Sequence, residues 1–413
     1  MTPQADCSLY AELLVNIRQI SLAASLFSPS DASTQVALSA DCRTVQLKHR
    51  GSVHQLTLPA KVALGSALLP IQDKQKGTTS LSWRLPLDAS YIPSSCHHQL
   101  DAPSWSATDL RPGSEVACRR CGAVVVPVGA ARVWKDLPSE NWAEMMEFWH
   151  CHKPDHSHHR HDEKDTGRAD ERSLAARGYG ASSAISAQEG VGFVDLTTLL
   201  FAESDCRNVT YSLSSYEDGS TDRQSLTAAA TIASQAPNLN VFCSSCHTQL
   251  GFYHFRTAAA TLLKWQISCK SVSGAAPSIP ECLAATLTAT ISRSGSSKSL
   301  ITPISDTAQE ADGKVMHIWV LNSTIVYSSS ATVQCTSAIK LLYRLIHHEE
   351  AERMLEAVTC EAQEINLPAQ ALGKVLEHLH QSTSLLPPSE QMFKGWKVGL
   401  LTRSEPKVGY SNG

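Results

Sequence analysis

The stretch CRRCG, Cys118 to Gly122, and its later counterpart CSSCHTQLG, Cys243 to Gly251, decide how the chain is read. Two cysteines separated by two residues can converge on one tetrahedral ion, with zinc–sulfur bonds of about 2.3 Å. A glycine just after the second cysteine, as at Gly122, suits the tight knuckle turn that aims backbone N–H groups at sulfur. Two such pairs predict one four-cysteine site, Cys118, Cys121, Cys243 and Cys246, holding about one zinc per chain. With all four thiolates on one ion no coordination position stays open, so the expected role is structural. The same ligand set excludes a RING cross-brace, which needs two interleaved sites.

The two pairs lie about 120 residues apart. Loop-closure entropy grows only logarithmically with length, so knuckles on two distant hairpins of one fold can still meet. The alternative is two unrelated pairs of thiols. A redox pair fits less well, because neither C-x-x-C sits at the start of a helix that follows a strand.

The 413 residues suffice for one large core or two ordinary ones, and 42% of them are hydrophobic. A net charge of −4 argues against a generic nucleic-acid or anionic-membrane binder, which needs a basic surface excess. MTPQADCSLY has no basic stretch followed by an apolar one, and no apolar run approaches a membrane span. Thirteen cysteines, an odd number, are spread along the chain, which fits a reducing compartment with mostly free thiols. A soluble protein of the cytoplasm, the nucleus or both is expected.

Outward from the first knuckle, the N-terminal hundred residues read as β. TVQLKH (Thr44 to His49) and VHQLTL (Val53 to Leu58) alternate apolar and polar residues around an Arg50-Gly51-Ser52 turn. LSWRLPL (Leu81 to Leu87) alternates again. After the knuckle, Ser139 is placed to cap a helix, and Trp142, Met145, Met146 and Trp149 form its apolar stripe. Pro154 ends that helix by about His152. Residues from Lys153 to about Gly190, rich in His, Asp, Arg and Ser, read as a loose insertion, and Asp205 to Asn238 as a second soft region.

Toward the C-terminus, LTATIS reads as a strand, and VMHIWVL and TIVYSS as a hairpin about Asn322-Ser323. A helix is expected from about Thr336, with Leu341, Leu342, Leu345 and Ile346 on one side. A second opens at Pro368 with Leu372, Val375, Leu376 and Leu379 inward, and GWKVGLL (Gly395 to Leu401) is a last strand. The sum is α+β: a β-rich, split single fold with a few segregated helices and a structural zinc knuckle pair. Its parts are residues 1–152, the insertion 153–190, and residues 191–413 closing on the first part.

The predicted helix ends in His150-Cys151-His152. At 100° per residue Cys151 lies about 180° from the apolar stripe, beside Glu144 and Glu147, and so is not an obvious core cysteine. A helix C-terminus and Glu147 both raise a thiol's pKa, which opposes an activated nucleophile unless His150 or His152 is protonated or a metal is bound. Nucleophile, metal ligand and ordinary helix-end cysteine all stay open. Cys96-His97-His98 lacks a partner, and His156, His158, His159 and His161 are too irregular for a defined site. There is no G-x-S-x-G, no P-loop, no H-E-x-x-H and no strand-linked G-x-G-x-x-G.

Taken together, CRRCG, WAEMMEFWHCHK, CSSCHTQLG and the terminal GWKVGLL resemble the HECT-like ubiquitin-conjugating-enzyme-binding proteins, over about Tyr10 to Arg403. The resemblance implies a ubiquitin ligase-like factor, one that binds a charged ubiquitin-conjugating enzyme and promotes transfer of ubiquitin to substrate lysines. A HECT-type route needs a cysteine that takes ubiquitin as a thioester, and Cys151, with His152 beside it, is the cysteine in the shared landmark. The family also looks linked to cleavage and polyadenylation of messenger RNA. That implies an alternative: a non-catalytic factor or chaperone for a 3′-end-processing nuclease, with Cys151 and His152 engaging the partner's metal centre.

Overall fold

In a computed structural model of the chain, the structure describes residues 7–90, 105–137, 186–212, 239–304, 314–357 and 362–404, apart from positions 64, 66, 256, 271, 273, 274 and 333. The described residues form a β-rich α+β fold with three α-helices: α1 (Ile279–Ser294), α2 (His348–Glu356) and α3 (Ala369–Thr383). None of them is long and apolar enough to cross a membrane.

The chain divides into two compact units, one made of Met1–Ala102 and Ile279–Gly413, the other of Pro103–Ser278. This partition differs from the 1–152, 153–190 and 191–413 division drawn from composition. The reason is strand pairing: Ser8–Leu14 lies antiparallel to Lys314–Ser329, so the two ends of the chain share one sheet.

That sheet has nine strands. Its order runs from Met392–Phe393 through Trp396–Thr402, Thr336–His347, Lys314–Ser329, Ser8–Leu14 and Gln19–Ser25 to Ser80–Pro86. Lys298–Ile304 pairs with Lys314–Ser329 and, in parallel, with Ala362–Pro368. A four-stranded sheet carries the predicted hairpin, Thr44–His49 with Ser52–Thr57. Its turn places Arg50 at φ 48° and Gly51 at φ 86°, both left-handed, as a two-residue hairpin loop requires. Leu22, Leu47, Leu81 and Leu85, all at most 2% exposed, interlock in one core between these strands.

Three expectations for this unit are corrected. Thr336–His347 is a strand, not a helix. Leu341, Leu342 and Tyr343 are all buried because the strand lies between Lys314–Ser329 and Trp396–Thr402, and a strand covered on both faces gives a run that period alone does not separate from a helix. Asn322-Ser323 is not a turn: Lys314–Ser329 runs straight through it, with register shifts on either side of Asn322. Bulges and turns favour the same small polar residues, and Asn322 Oδ1 accepts the Thr324 N–H at 3.0 Å. LTATIS lies inside α1, where the hydroxyls of Thr286 and Thr288 donate to the carbonyls of Cys282 and Ala284 and so satisfy themselves within the helix.

Helix α3 starts at Ala369, with Pro368 as its N-cap residue, and buries Leu372, Val375 and Leu379 as expected. It packs on the last strand and closes that strand's open edge. Ser382 Oγ accepts the Leu400 N–H at 2.9 Å, and Thr383 Oγ1 donates to the Val398 carbonyl at 2.7 Å. An unpaired strand edge is a template for aggregation, and here helix hydroxyls occupy its groups.

In the second unit, a seven-stranded sheet runs in the order Val133–Asp136, Val191–Val194, Thr198–Ala202, Ala259–Leu263, Gln249–His254, Leu239–Cys243, Val209–Ser212. Beside it, Val116–Cys118 stands between Ile267–Cys269 and Val124–Val126 in a three-stranded sheet. The predicted Trp142–Trp149 helix, Cys96, His97, His98 and the histidine-rich run lie outside the described residues.

Candidate metal centre

Each C-x-x-C pair forms the tip of a hairpin, and the two tips repeat one backbone pattern. In the first, the Gly122 N–H donates to the Cys118 carbonyl at 2.9 Å and the Cys118 N–H to the Ala123 carbonyl at 2.8 Å. In the second, His247 donates to Cys243 at 2.8 Å and Cys243 to Thr248 at 2.9 Å, the same offsets shifted along the chain. The residue after each second cysteine is left-handed, Gly122 at φ 76° and His247 at φ 57°. Glycine takes that conformation freely; histidine takes it against its Cβ, which is why the second tip carries no glycine signal of its own.

The hairpins are then tied together. The Arg207 N–H donates to the Val125 carbonyl at 2.7 Å, and Asn208 Nδ2 to the Val124 carbonyl at 2.9 Å. The Ser244 N–H reaches the Asn208 carbonyl at 3.0 Å, so the segment 207–208 clamps both tips. Arg119 N–H adds a bond to the Gln266 carbonyl at 2.9 Å.

The result brings the four predicted sulfurs together, all within 4.8 Å of one another. Cys118 Sγ lies 3.6 Å from Cys246 Sγ, and Cys121 Sγ lies 3.6 Å from Cys243 Sγ. A tetrahedral zinc with bonds of about 2.3 Å spaces its sulfurs about 3.8 Å apart, so donor type, number and spacing all fit that ion. They do not fit disulfides, whose sulfurs approach to about 2.05 Å. Cys118 and Cys243 are buried at the strand ends, Cys246 is half-buried and Cys121 is exposed. The cluster lies wholly within Pro103–Ser278.

Electrostatics within the cluster is uneven. Burial pushes the Cys118 thiol up to about 12 and raises Cys243 too. At Cys246 burial also works upward, but hydrogen bonds from the Thr248 hydroxyl and backbone N–H, and from the neighbouring thiols, bring it down to about 6. Thr248 Oγ1 stands 3.3 Å from Cys246 Sγ and accepts from Arg120 Nη1 at 3.4 Å. The cluster therefore holds one thiolate readily, and a divalent cation would stabilise the others in that form. Thr248 is the contributor that sequence reading missed, although it stands two residues after Cys246 in the same knuckle.

The other described thiols are differently placed. Cys206, Cys7, Cys269 and Cys282 are buried, and burial together with Asp205 and Glu203 raises Cys206 to about 12. Cys42 and Cys335 are half-buried. Cys151 and His152, the candidate acceptor and its neighbour, lie outside the described residues.

The HECT-like ubiquitin-conjugating enzyme (E2)-binding family matches residues 12–398. The uncharacterized protein YJR141W of Saccharomyces cerevisiae is 33% identical over 101 residues, 21% of this chain and 29% of that protein. The uncharacterized protein C1734.10c of Schizosaccharomyces pombe is 38% identical over 52 residues, 12% of this chain and 15% of that protein. The chain thus spans less than a third of the length of these relatives. No solved structure matches. Because the family match takes in both knuckles and runs from the first strand to the last, the chain belongs to the HECT-like ubiquitin-conjugating enzyme (E2)-binding family.

Proposed function

We propose that this protein binds a ubiquitin-conjugating enzyme and promotes transfer of ubiquitin to substrate lysines. The observation that carries the reading is the family match over residues 12–398. In this reading Cys118, Cys121, Cys243 and Cys246 hold one zinc per chain, which fixes two hairpins and takes no part in transfer, because four thiolates fill a tetrahedral shell. The zinc-stapled unit is scaffold.

Transfer through a thioester would split the reaction into two steps: the acceptor sulfur attacks the carbonyl of the enzyme-bound ubiquitin, the first thiolate leaves, and a substrate amine then displaces the new thiolate. Cys151 is the acceptor in this reading. What supports it is its place in WAEMMEFWHCHK, the landmark that carries the resemblance to the family. The test incubates the full chain with ubiquitin-charged conjugating enzymes and compares gels with and without thiol reductant, for wild type and Cys151→Ala. A reducible adduct lost in the variant is expected. Faster discharge with no adduct would leave transfer direct, from conjugating enzyme to lysine, and would end the role of Cys151 as acceptor.

A further inference from the structure

The four sulfurs of the cluster are not equivalent. Cys121 is exposed and Cys246 half-buried, whereas Cys118 and Cys243 are buried at the strand ends. Contacts of 3.6 Å cross from one hairpin to the other, Cys118 Sγ to Cys246 Sγ and Cys121 Sγ to Cys243 Sγ. Each crossing pair therefore joins a sulfur that solvent reaches to one that lies beneath it. A thiol open to an oxidant, with a second thiol poised to resolve it, is the arrangement of a reversible redox pair.

Little movement separates these pairs from disulfides. Closing 3.6 Å to the roughly 2.05 Å of an S–S bond asks about 0.8 Å of each sulfur. The hairpins stay side by side meanwhile, because the bonds that clamp them involve no sulfur: Arg207 N–H to Val125, Asn208 Nδ2 to Val124, and Ser244 N–H to Asn208. The crossing bridges would join residues 128 and 122 positions apart. Loops of that length restrict the unfolded chain far more than a bridge inside one C-x-x-C. Crossing disulfides would thus do the tying that an ion does in the reduced protein.

We infer that the cluster is a redox site with two states. Reduced, its four thiolates hold one zinc; oxidised by a peroxide, they form the disulfides Cys118–Cys246 and Cys121–Cys243 and the ion is released. The reduced state rests on the zinc assignment in the proposed function, whereas the pairing of sulfurs does not.

Each disulfide forms in two steps. The accessible thiolate attacks one oxygen of hydrogen peroxide, the O–O bond breaks, and hydroxide leaves a sulfenic acid on that sulfur. The buried thiolate then attacks the same sulfur; the S–S bond forms, the S–O bond breaks, and a second hydroxide departs. Two thiolates give two electrons to one peroxide, so the whole cluster consumes two. A dithiol reverses the change by exchange, which returns the four thiolates to metal binding.

The experiment treats the full chain, purified under reducing conditions, with hydrogen peroxide. It follows zinc released to a pyridylazo dye, disulfide connectivity by non-reducing peptide mapping, and Tm. About one zinc should be released for about two peroxides consumed, with both crossing disulfides found and metal binding restored by dithiothreitol. The oxidised chain should melt above the same chain stripped of zinc by a chelator and kept reduced. Cys121→Ser should still form Cys118–Cys246. Bridges confined to each knuckle, Cys118–Cys121 and Cys243–Cys246, would overturn the inference, as would thiols and zinc that persist through a large excess of peroxide. A chain purified without zinc would overturn the two-state site and the metal assignment together, even where the crossing disulfides form.

Discussion

Cys118 Sγ and Cys246 Sγ stand 3.6 Å apart although 128 residues separate them in sequence. Nothing local brings them together. Their meeting depends on the clamp of residues 207–208 across both hairpin tips, and a bound ion would share that work.

Zinc removal should therefore loosen one unit. Elemental analysis is expected to give about one zinc per chain, and Cys118→Ser or a strong chelator should destabilise Pro103–Ser278 by roughly 3 kcal/mol or more. Hydrogen exchange should rise first at residues 116–126 and 239–250. A protein purified without zinc and unchanged in Tm by Cys118→Ser would end the metal assignment.

Two glycines should respond in opposite senses to alanine. A Cβ on Gly251 would collide with the backbone carbonyl of Thr261 on the paired strand, so Gly251→Ala should destabilise strongly, by about 3 kcal/mol or more. Gly373 sits inside α3 with nothing within 4 Å of its missing Cβ, and Gly373→Ala should stabilise by about 0.5 to 1 kcal/mol. Chemical denaturation of both variants checks the pair.

The edge capped by α3 predicts a local effect. Ser382→Ala leaves the buried Leu400 N–H without its acceptor, at a cost of about 1 to 3 kcal/mol. Amide exchange at Leu400 should quicken more than at Leu401, which faces Ile339 on the paired strand. Equal quickening along the whole strand would instead mean general loosening.

Stability should fall as the solution is acidified through the histidine range. Burial first, then the charges of Arg344 and Lys298, lower His317 from about 6.5 to about 4. A histidine depressed in the folded state stabilises the fold above the unfolded value, and that contribution is lost as pH drops from about 6.5 toward 4. His254 and His378 are lowered by burial and act in the same direction. Thermal unfolding between pH 7 and 4.5 should thus show a falling Tm, with a shallower fall in His317→Gln. An identical slope in that variant would exclude His317 as a source.

Much of the four-cysteine cluster was legible because its information is local. A C-x-x-C pair carries its turn with it, and two pairs in one chain invite one ion. The Thr44–Leu58 hairpin was legible for the same reason, since alternation and an Arg-Gly turn lie within fifteen residues. The errors arose where neighbours in space decide. Thr336–His347 reads as a helix until the strands on either side are known, and Thr288 of LTATIS, like Thr286 just before it, satisfies its hydroxyl inside α1 only once the helix exists. Asn322 marks a bulge whose residue preferences are those of a turn.

The most direct test of the account mixes the full chain with a set of ubiquitin-charged conjugating enzymes and follows loss of the charged form in the presence of free lysine. The account predicts that at least one is discharged faster than in its absence. Charged enzymes that persist unchanged across the whole set, with no complex formed, would contradict it.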